Sequence, residues 1–273
     1  MAEYARHPMS EPVTPSAAAT LVLLRDRAPA GIETLLIQRH AKSKFAAGDF
    51  VFPGGKVEAD DIPDGVEAYC VGLTPTEAAA RLGGNLTPRQ ALGYWVGAIR
   101  EAFEEVGVLL AYDRAGGFVR FTPENRARFD AYRAQCQASN QAFSPMLRAE
   151  GLRLATDRLT YIAHWITPEE NPIRFDTRFF AAVSPTGQEA VADGREITAV
   201  RWLTPAEALD AFRRKEISLR FPTIKNLELM GGRETAAQLL AGFRDREVPA
   251  IRPRVLQVDG KPVAVLPGDP RWY

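Results

Sequence analysis

The feature that most constrains this 273-residue chain is a cluster of glutamates in residues 100–108, Arg-Glu-Ala-Phe-Glu-Glu-Val-Gly-Val. On a helix that turns about 100° per residue, Glu101, Glu104 and Glu105 lie within an arc of roughly 100°. Like charges at this spacing destabilise a helix unless a cation neutralises them. Carboxylate oxygens at this density suit Mg²⁺ or Mn²⁺, and Mg²⁺ usually binds together with phosphate oxygens. A solvated acidic face is the alternative for an isolated pattern of this kind.

The residues around the cluster favour the metal interpretation. Arg100 can orient a neighbouring carboxylate, and Gly107 stands where a helix C-cap favours a left-handed residue. Upstream, Phe-Pro-Gly-Gly at 52–55 predicts a turn whose backbone can approach a ligand closely, since glycine has no side chain.

The acidic cluster is predicted to lie on a long helix, from about residue 88 to 106. Thr87 and Gln90 form a capping box around Pro88, which favours the first helical position. Apolar residues recur at helical spacing and predict one buried stripe. The stripe contains Leu92, Trp95, Ile99, Phe103 and Val106. The glutamate face is therefore expected to point away from the core and into a cleft.

Residues 100–108 resemble the second half of the Nudix box, G-x5-E-x7-R-E-U-x-E-E-x-G-U, where U is aliphatic. Gly55 to Asp61 resembles the first half, with Asp in place of the usual Glu. The gap between Asp61 and Arg100 holds 38 residues instead of seven, so residues 62–87 are interpreted as an insertion. A box interrupted in this way resembles the coenzyme A diphosphatase branch of the family. The resemblance covers roughly residues 17–215.

A second motif precedes the box and resembles the coenzyme A signature L-L-x-x-R-x4-R-x3-G-x3-F-P-G-G. The residues that match it in register are Leu35, Leu36, Arg39, Gly48, Phe52, Pro53, Gly54 and Gly55. Lys44 stands at the second Arg position, where it keeps the charge and loses the bidentate guanidinium. The resemblance implies that Arg39 and Lys44 bind substrate phosphates. A solvated basic loop is the alternative.

The resemblance implies an α/β fold, a Nudix-type α/β/α sandwich on a mixed sheet with a helical insertion and a small helical lobe at 122–154. It also implies metal-dependent hydrolysis of a nucleoside diphosphate linked to another moiety. Coenzyme A or acyl-CoA would give 3′,5′-ADP and a phosphopantetheine. The implied catalytic and metal-binding residues are Arg100, which holds a glutamate, Glu101, Glu104, Glu105 and the main-chain carbonyl of Gly54, with Gly55 in the substrate-binding turn.

Nudix hydrolases often take a further carboxylate from a loop or strand opposite the helix, as a metal ligand or general base. Glu196, in Glu-x5-Trp-Leu-x-Pro, resembles that position best. Glu189 ranks second, followed by Glu169 and Glu170. The alternative is that Glu196 is an ordinary exposed residue at the start of a strand.

Two other functions stay open. One is the same chemistry on ADP-ribose or a dinucleotide such as NADH, for which a 3′-phosphate contact is dispensable. The other is a nucleotide-binding module that does not cleave its ligand. The three glutamates argue against the second, because a pure binder does not need repelling carboxylates.

The amino-acid composition limits the classes of partner that we expect the protein to bind. Lys plus Arg and Asp plus Glu both number 34, so no global field attracts nucleic acid or a membrane surface. No apolar run of about 18 residues predicts a membrane span. Cys70 and Cys136 are too few for a disulfide framework, so a reducing cytoplasm is expected. His164 is expected to be a packed residue. The expected partner is a nucleotide-type small molecule, with a possible homodimer contact through the helical lobe.

The remaining patterns divide the chain into elements. Residues 1–16 are expected to be a loose leader and residues 17–273 a single domain that ends in a hairpin and tail at 250–273. Strands are predicted at 17–24, 32–38, 108–112, 159–166, 174–183 and 195–203, with a hairpin at 254–265 around Asp259-Gly260. Helices are predicted at 75–82, 88–106, 122–139, 143–154, 204–215, 221–230 and 234–243.

Overall fold

The computed structural model describes residues 13–43, 46–258 and 261–272. The strands are β1 (Ser16–Asp26), β2 (Ile32–Arg39), β3 (Phe50–Val51), β4 (Gly54–Lys56), β5 (Ala111–Tyr112), β6 (Arg153–Leu154), β7 (Thr160–Ile166), β8 (Phe175–Val183), β9 (Ile197–Leu203), β10 (Ala250–Ile251), β11 (Arg254–Val258) and β12 (Lys261–Val265). The helices are α1 (Pro75–Leu82), α2 (Pro88–Val106), α3 (Pro123–Ala138), α4 (Phe143–Glu150), α5 (Pro205–Arg213), α6 (Phe221–Met230) and α7 (Ala236–Ala241).

A mixed sheet forms the centre of the molecule. In the described residues it has eight strands in the order β10-β7-β8-β1-β2-β3, with β4 also pairing with β1 and β9 with β2. The β1–β8 and β7–β10 pairs are parallel, whereas the other pairs in this sheet are antiparallel. The long β1 strand is buried from Ala18 to Leu24 because it lies between neighbours on both sides and beneath helices on both faces.

Helices cover both faces of the sheet and divide the core into two layers. One layer packs α1, α2, α3 and α4 against alternate residues of β1 and β2, such as Leu21 and Leu35. The other packs α5, α6 and α7 against the opposite face, including Val22 and Leu36. This is the α/β/α sandwich on a mixed sheet expected from the sequence.

The long helix α2 begins and ends at the predicted residues. The Thr87 hydroxyl accepts a hydrogen bond from the Gln90 N–H, and the Gln90 side chain accepts one from the Thr87 N–H. Gly107 ends the helix with a left-handed φ of 71°. The whole predicted apolar stripe is buried, so this face anchors α2 to the sheet.

The insertion at 62–87 packs on the body of the molecule. Its α1 starts from a capping box at Thr74 and lies against α2, with Ala78 and Leu82 buried in the shared core. The helical lobe at 122–154 packs at the other end of α2, where Phe129 and Cys136 of α3 join the same core.

Several predicted boundaries are wrong in detail. The strand predicted at 108–112 is limited to β5, which pairs with β6. The predicted helix at 143–154 ends at Glu150, because Gly151 takes a left-handed conformation and the chain then enters β6. Ser16 already belongs to β1 instead of the leader. The arms of the C-terminal hairpin pair as predicted, whereas its Asp259-Gly260 turn lies outside the described residues.

No helix among the described residues is long and apolar enough to cross a membrane.

Candidate functional site

The three glutamates of α2 lie close together and are largely buried. Glu105 is 6% exposed, and the side chains of Glu101 and Glu104 are 15% and 12% exposed. Glu105 lies against the Gly54 N–H, and Glu101 and Glu104 lie against the Arg100 guanidinium, while the cleft expected on this face stays a prediction. Burial of this much acidic charge requires compensating partners.

Arg100 supplies much of that compensation. Its side chain is 1% exposed, and its Nη1 donates to Glu101 Oε1 at 2.9 Å and to Glu104 Oε2 at 3.0 Å. Its Nε and Nη2 donate to the two oxygens of buried Asp61 at 2.6 and 3.0 Å, and Nη2 also donates to the Lys56 carbonyl. Burial lowers the pKa of Arg100, but Asp61 and the glutamates outweigh burial and raise it. The guanidinium therefore joins both halves of the interrupted motif.

The Gly54–Gly55 turn holds the other side of the acidic cluster. The Gly54 N–H donates to Glu105 Oε2 at 2.8 Å. A Cβ atom at Gly54 would lie 2.5 Å from the Ala19 carbonyl oxygen, and one at Gly55 would lie 2.5 Å from Glu101 Oε1. Only glycine lets this backbone approach β1 and the carboxylates so closely.

Burial raises the pKa of all three glutamates. Burial raises the pKa of Glu104 to about 8, with Arg100 opposing the shift and Glu101 adding to it. The pKa of Glu105 is raised well above its ordinary value by burial and by the charge of Glu101. Burial also raises the pKa of Glu101 despite its contact with Arg100. This site is therefore deficient in positive charge when the carboxylates are ionised.

The donor set fits a divalent cation. Glu104 Oε1 is buried and has no hydrogen-bond partner within the described residues, and carboxylate oxygen is the preferred ligand of hard cations. Among the described residues, no group of three or more His, Cys, Asp or Glu side chains is already arranged to bind a metal ion. Arg100 instead binds one oxygen of Glu101 and one of Glu104. The residues that could hold a metal are Glu101, Glu104 and Glu105, and the Gly54 carbonyl as a ligand stays a prediction.

Arg39 reaches the same cluster from the end of β2. Its Nη1 lies 3.4 Å from Glu105 Oε1, and its side chain is 22% exposed. Its buried Nε has no partner among the described residues, which leaves a donor for an anion. Lys44, the other predicted phosphate-binding residue, lies outside the described residues.

Glu196 lies at the rim of the cluster, immediately before β9. Its side chain is exposed, and its charge contributes to the raised pKa of Glu101 and Glu105, although burial is the larger cause. The Asp193 carboxylate accepts hydrogen bonds from the N–H groups of Arg195, Glu196 and Ile197 and so fixes this loop.

The lower-ranked carboxylates lie elsewhere. Glu189 is exposed and lines a separate pocket with Phe121 and Arg126. Glu169 pairs with Arg252, and Glu170 lies in an exposed turn. The structure thus brings Glu196 alone of these four to the acidic cluster, and its role there stays a prediction.

Sequence reasoning missed the residues that hold the end of α2. Arg133 of α3 donates to the carbonyls of Glu104, Glu105 and Val191 at 3.0, 2.7 and 2.9 Å. Gln137, one turn later, also donates to the Glu104 carbonyl at 2.7 Å. These bonds satisfy carbonyls at the C-terminal end of the helix that lack helical partners. The sequence shows only an arginine four residues before a glutamine on the lobe helix, a common spacing that does not point to α2.

The comparison with protein families identifies the family to which the chain belongs. The family model described as the NUDT19 Nudix domain matches residues 76–230, which include the acidic helix and Glu196. The chain belongs to this Nudix family. It is therefore a Nudix hydrolase, an enzyme class that generally uses divalent metal ions.

Relatives of this Nudix hydrolase include two curated vertebrate proteins. The acyl-coenzyme A diphosphatase NUDT19 of Xenopus laevis is 26% identical over 268 residues, covering 87% of this chain and 70% of the relative. The protein of the same name from Gallus gallus is 30% identical over 234 residues, covering 73% of this chain and 61% of the relative. The chain therefore spans less than two thirds of the Gallus gallus protein.

A solved structure supports the same fold. The NUDIX hydrolase from Alicyclobacillus acidocaldarius superposes with a TM-score of 0.66 at 28% identity, covering 84% of this chain and 96% of the other. The similarity extends well beyond the acidic helix, so the sandwich as a whole is that of a Nudix hydrolase.

Proposed function

We propose that this Nudix hydrolase cleaves the diphosphate bond of coenzyme A or acyl-CoA, giving 3′,5′-ADP and (acyl-)phosphopantetheine, with Mg²⁺ or Mn²⁺ as cofactor. The observation that carries the proposal is the trio of largely buried glutamates, with Glu105 and Glu101 against the Gly54–Gly55 turn and Arg39 at the edge of the cluster. Three carboxylates with raised pKa values form a costly arrangement unless cations and a phosphate-bearing substrate use it.

The residues of the chain have distinct roles in this reaction. Glu101, Glu104 and Glu105 would hold the divalent ions, which supply charge neutralisation at the diphosphate and a lowered pKa of water. Arg100 holds Glu101 and Glu104 in place, and the Gly54 N–H does the same for Glu105. Glu196 takes the proton of the attacking water at its carboxylate. Positioning and electrostatics supply most of the rate enhancement.

The substrate assignment is supported by the basic residues before the acidic cluster. Arg39 has a buried Nε donor with no partner among the described residues, and Lys44 adds a second positive charge on the same loop of the sequence. Two cations match the 3′-phosphate and diphosphate of coenzyme A. The names of the vertebrate relatives, acyl-coenzyme A diphosphatases, point to the same substrate class.

A substrate panel tests the assignment. Coenzyme A, acyl-CoA, dephospho-CoA, ADP-ribose and NADH are each incubated with the protein in Mg²⁺ or Mn²⁺, and the products are separated by chromatography. We expect 3′,5′-ADP from coenzyme A, and a loss of about tenfold in kcat/KM when the 3′-phosphate is missing. If ADP-ribose or NADH is cleaved faster than coenzyme A, that compound is the preferred substrate instead of coenzyme A. If the protein binds one or more of these compounds and hydrolyses none of them, it is a nucleotide-binding module and the proposed activity is wrong.

The Arg39→Ala variant tests whether the enzyme recognises the 3′-phosphate of coenzyme A or only the diphosphate that ADP-ribose and NADH also contain. If Arg39 contacts the 3′-phosphate, the variant loses activity on coenzyme A and keeps its activity on dephospho-CoA. Equal losses on both substrates would place Arg39 at the diphosphate instead. No change on either would remove this residue from the substrate site. Arg126→Ala, an exposed arginine on α3, serves as the matched control.

A further inference from the structure

A large cleft opens along β7, away from the acidic cluster. Its volume is about 1170 Å³, and its walls come from the end of α1, the strands β7 and β8, and residues 240–250. Across the sheet, Gly55 pairs with Ala19, Ala19 pairs with Arg178, and Arg178 pairs with His164. At the usual spacing between strands, the cleft residue His164 lies roughly 14 Å from the Gly54–Gly55 turn. The glutamates of α2, Arg39 and Glu196 do not line this cleft.

Two buried side chains that line the cleft each carry a hydrogen-bond donor that has no acceptor in the described part of the chain. Arg178 is 4% exposed and Tyr161 is 8% exposed. The Arg178 Nε and the Tyr161 hydroxyl have no partner among the described residues. Burial raises the pKa of Tyr161, so the hydroxyl stays protonated near neutral pH. Buried donors without an acceptor are costly, and a ligand oxygen would satisfy both.

The charge beside these donors is fixed by a small network. Arg178 Nη1 donates to Asp176 Oδ1 at 3.0 Å, and the guanidinium stacks on the Tyr94 ring at 4.3 Å. His164 also pairs with Asp176 through its Nε2. Burial opposes ionisation of Asp176, but the bonds from His164 and Arg178 outweigh it and lower the pKa of Asp176. Asp176 is thus committed to His164 and Arg178, and the Arg178 Nε–H remains available to another oxygen.

The mouth of the cleft combines positive charge with apolar surface. Arg81, Arg244 and Arg246 are exposed residues of its lining, which also carries the exposed acids Asp245 and Glu247, while Asp157 is paired with Arg158. Phe118, Leu159 and Val248 supply apolar lining on the α2 side of the sheet, where Tyr161 also lies, and Leu240 and Phe243 line the cleft from the opposite side. Arginines next to an apolar wall suit a ligand that carries an oxyanion on an apolar or ring-bearing body.

We propose that this cleft is a second ligand site, separate from the catalytic carboxylates, for an organic oxyanion. The oxyanion, a phosphate or a carboxylate, is bound by the arginines and the inner donors, and the body of the ligand lies against Phe118 and Val248 on the same side of the sheet. The two donors at the inner end make the site selective for a ligand oxygen over a purely apolar molecule.

Calorimetry on the full chain in EDTA tests the proposal, since metal-dependent binding at the catalytic carboxylates is then removed. The probes are adenosine 5′-monophosphate, octanoate and inorganic phosphate, which separate a phosphate source from a carboxylate source. We expect one of the first two to bind with a Kd below about 1 mM. Tyr161→Phe and Arg246→Gln should each weaken that binding about five- to tenfold.

Matched variants decide where the probe binds. Tyr94→Phe removes the hydroxyl of a neighbouring tyrosine that does not line the cleft, and Glu105→Gln alters the catalytic cluster, so both should leave Kd within about twofold. Arg246 is exposed, so Arg246→Gln gives an answer even if Tyr161→Phe fails to fold. The proposal is overturned if neither organic probe binds, if inorganic phosphate binds as tightly as both, or if Glu105→Gln rather than Tyr161→Phe weakens binding. The experiment needs no turnover, so its failure leaves the proposed hydrolase activity standing.

Discussion

At the scale of single residues, Asp61 explains how an interrupted motif still forms one site. It stands 39 positions before Arg100 in the chain, yet both of its oxygens accept from that guanidinium. Asp61 Oδ2 also accepts from the Glu58 N–H and so closes the short turn in which it lies. The insertion between the two halves therefore leaves their junction intact.

The fit around Asp61 leads to a prediction about the usual motif residue. Its side chain is fully buried, and a Cβ added to Gly97 of α2 would lie 3.1 Å from Asp61 Oδ2. Asp61→Glu restores the family pattern but adds a methylene to a filled space, so we expect a loss of about 1–3 kcal/mol in the free energy of unfolding. Urea unfolding measures this loss. Asp60→Glu, at an exposed neighbour, is the control, and an equal or higher stability for Asp61→Glu would show that the site has room.

The acidic side chains of α2 lead to a second prediction at this scale. Glu105→Gln keeps the shape of the residue and removes a charge that a divalent ion requires, so turnover with Mg²⁺ or Mn²⁺ should fall by at least about 10³-fold. The melting temperature should be unchanged or higher, because the buried charge is lost. Glu189→Gln, on an exposed loop outside the cluster, should retain near wild-type turnover. A Glu105→Gln variant with normal activity would remove this residue from the metal site.

The role of Glu196 as general base is tested with Glu196→Gln, and Glu189→Gln again serves as the control. Its carboxylate is the exposed acid that lies beside Glu101 and Glu105, so Glu196→Gln should lower kcat by about 10²-fold or more as a general base is lost. A general base also shapes the acidic limb of the pH–rate profile, and that limb should move or disappear in the variant. If Glu189→Gln slows turnover more than Glu196→Gln, the base lies on the other loop.

At the scale of elements, local signals predicted the long helix better than the short strands. Both ends of α2 were correctly placed because the Thr87 capping box and Gly107 act within one turn of the chain. The strands β4 and β10 were not predicted, since two or three residues carry no periodicity and their pairing depends on β1 and β7. The glutamates of the site were found from their spacing on one helix.

The contacts that hold those glutamates were missed for the same reason. Arg133 is an ordinary polar residue in the sequence of α3, and its contact with the end of α2 exists only in the folded molecule. Its guanidinium joins the carbonyls of Glu104 and Glu105 to that of Val191, which precedes the Asp193 loop and Glu196. The helical lobe therefore ties α2 to the loop that carries Glu196.

Arg133→Gln tests this link. The variant leaves the carbonyls of Glu105 and Val191 without this donor, while Gln137 still donates to that of Glu104, so we expect a stability loss of about 1–3 kcal/mol. Because the carboxylates and the Glu196 loop lose their common anchor, kcat should fall about tenfold while KM changes little. Arg126→Gln on the same helix removes an ion pair with Asp130 and a contact with the Phe121 ring and should change stability and kcat far less. Similar kcat values for both variants would limit Arg133 to a role in folding.

At the scale of the whole molecule, the site makes the stability of the fold depend on pH and on metal. The formal net charge of the chain is zero at pH 7. Individual buried glutamates therefore contribute visibly to the change of stability with pH. In Glu104, burial raises the pKa from the ordinary 4.5 to about 8. The folded state therefore holds the proton of Glu104 more tightly than the unfolded chain does. This preference stabilises the metal-free protein fully below about pH 4.5, and the stabilisation is lost as the pH rises through about 8.

The melting temperature in EDTA should accordingly fall between pH 5.5 and 8.5 more steeply for the wild type than for Glu104→Gln, which has no proton to lose at this position. A divalent ion that binds the ionised carboxylates competes with protons, so 1 mM Mn²⁺ should raise the melting temperature little at pH 5.5 and several degrees at pH 8. Scanning fluorimetry at both pH values, with and without Mn²⁺, measures these shifts. An Mn²⁺ effect of equal size at the two pH values, or one that Glu104→Gln retains in full, would place the bound ion away from this carboxylate. If the effect grows with pH and disappears with Glu104, the same buried charge that destabilises the metal-free fold is what recruits the cofactor.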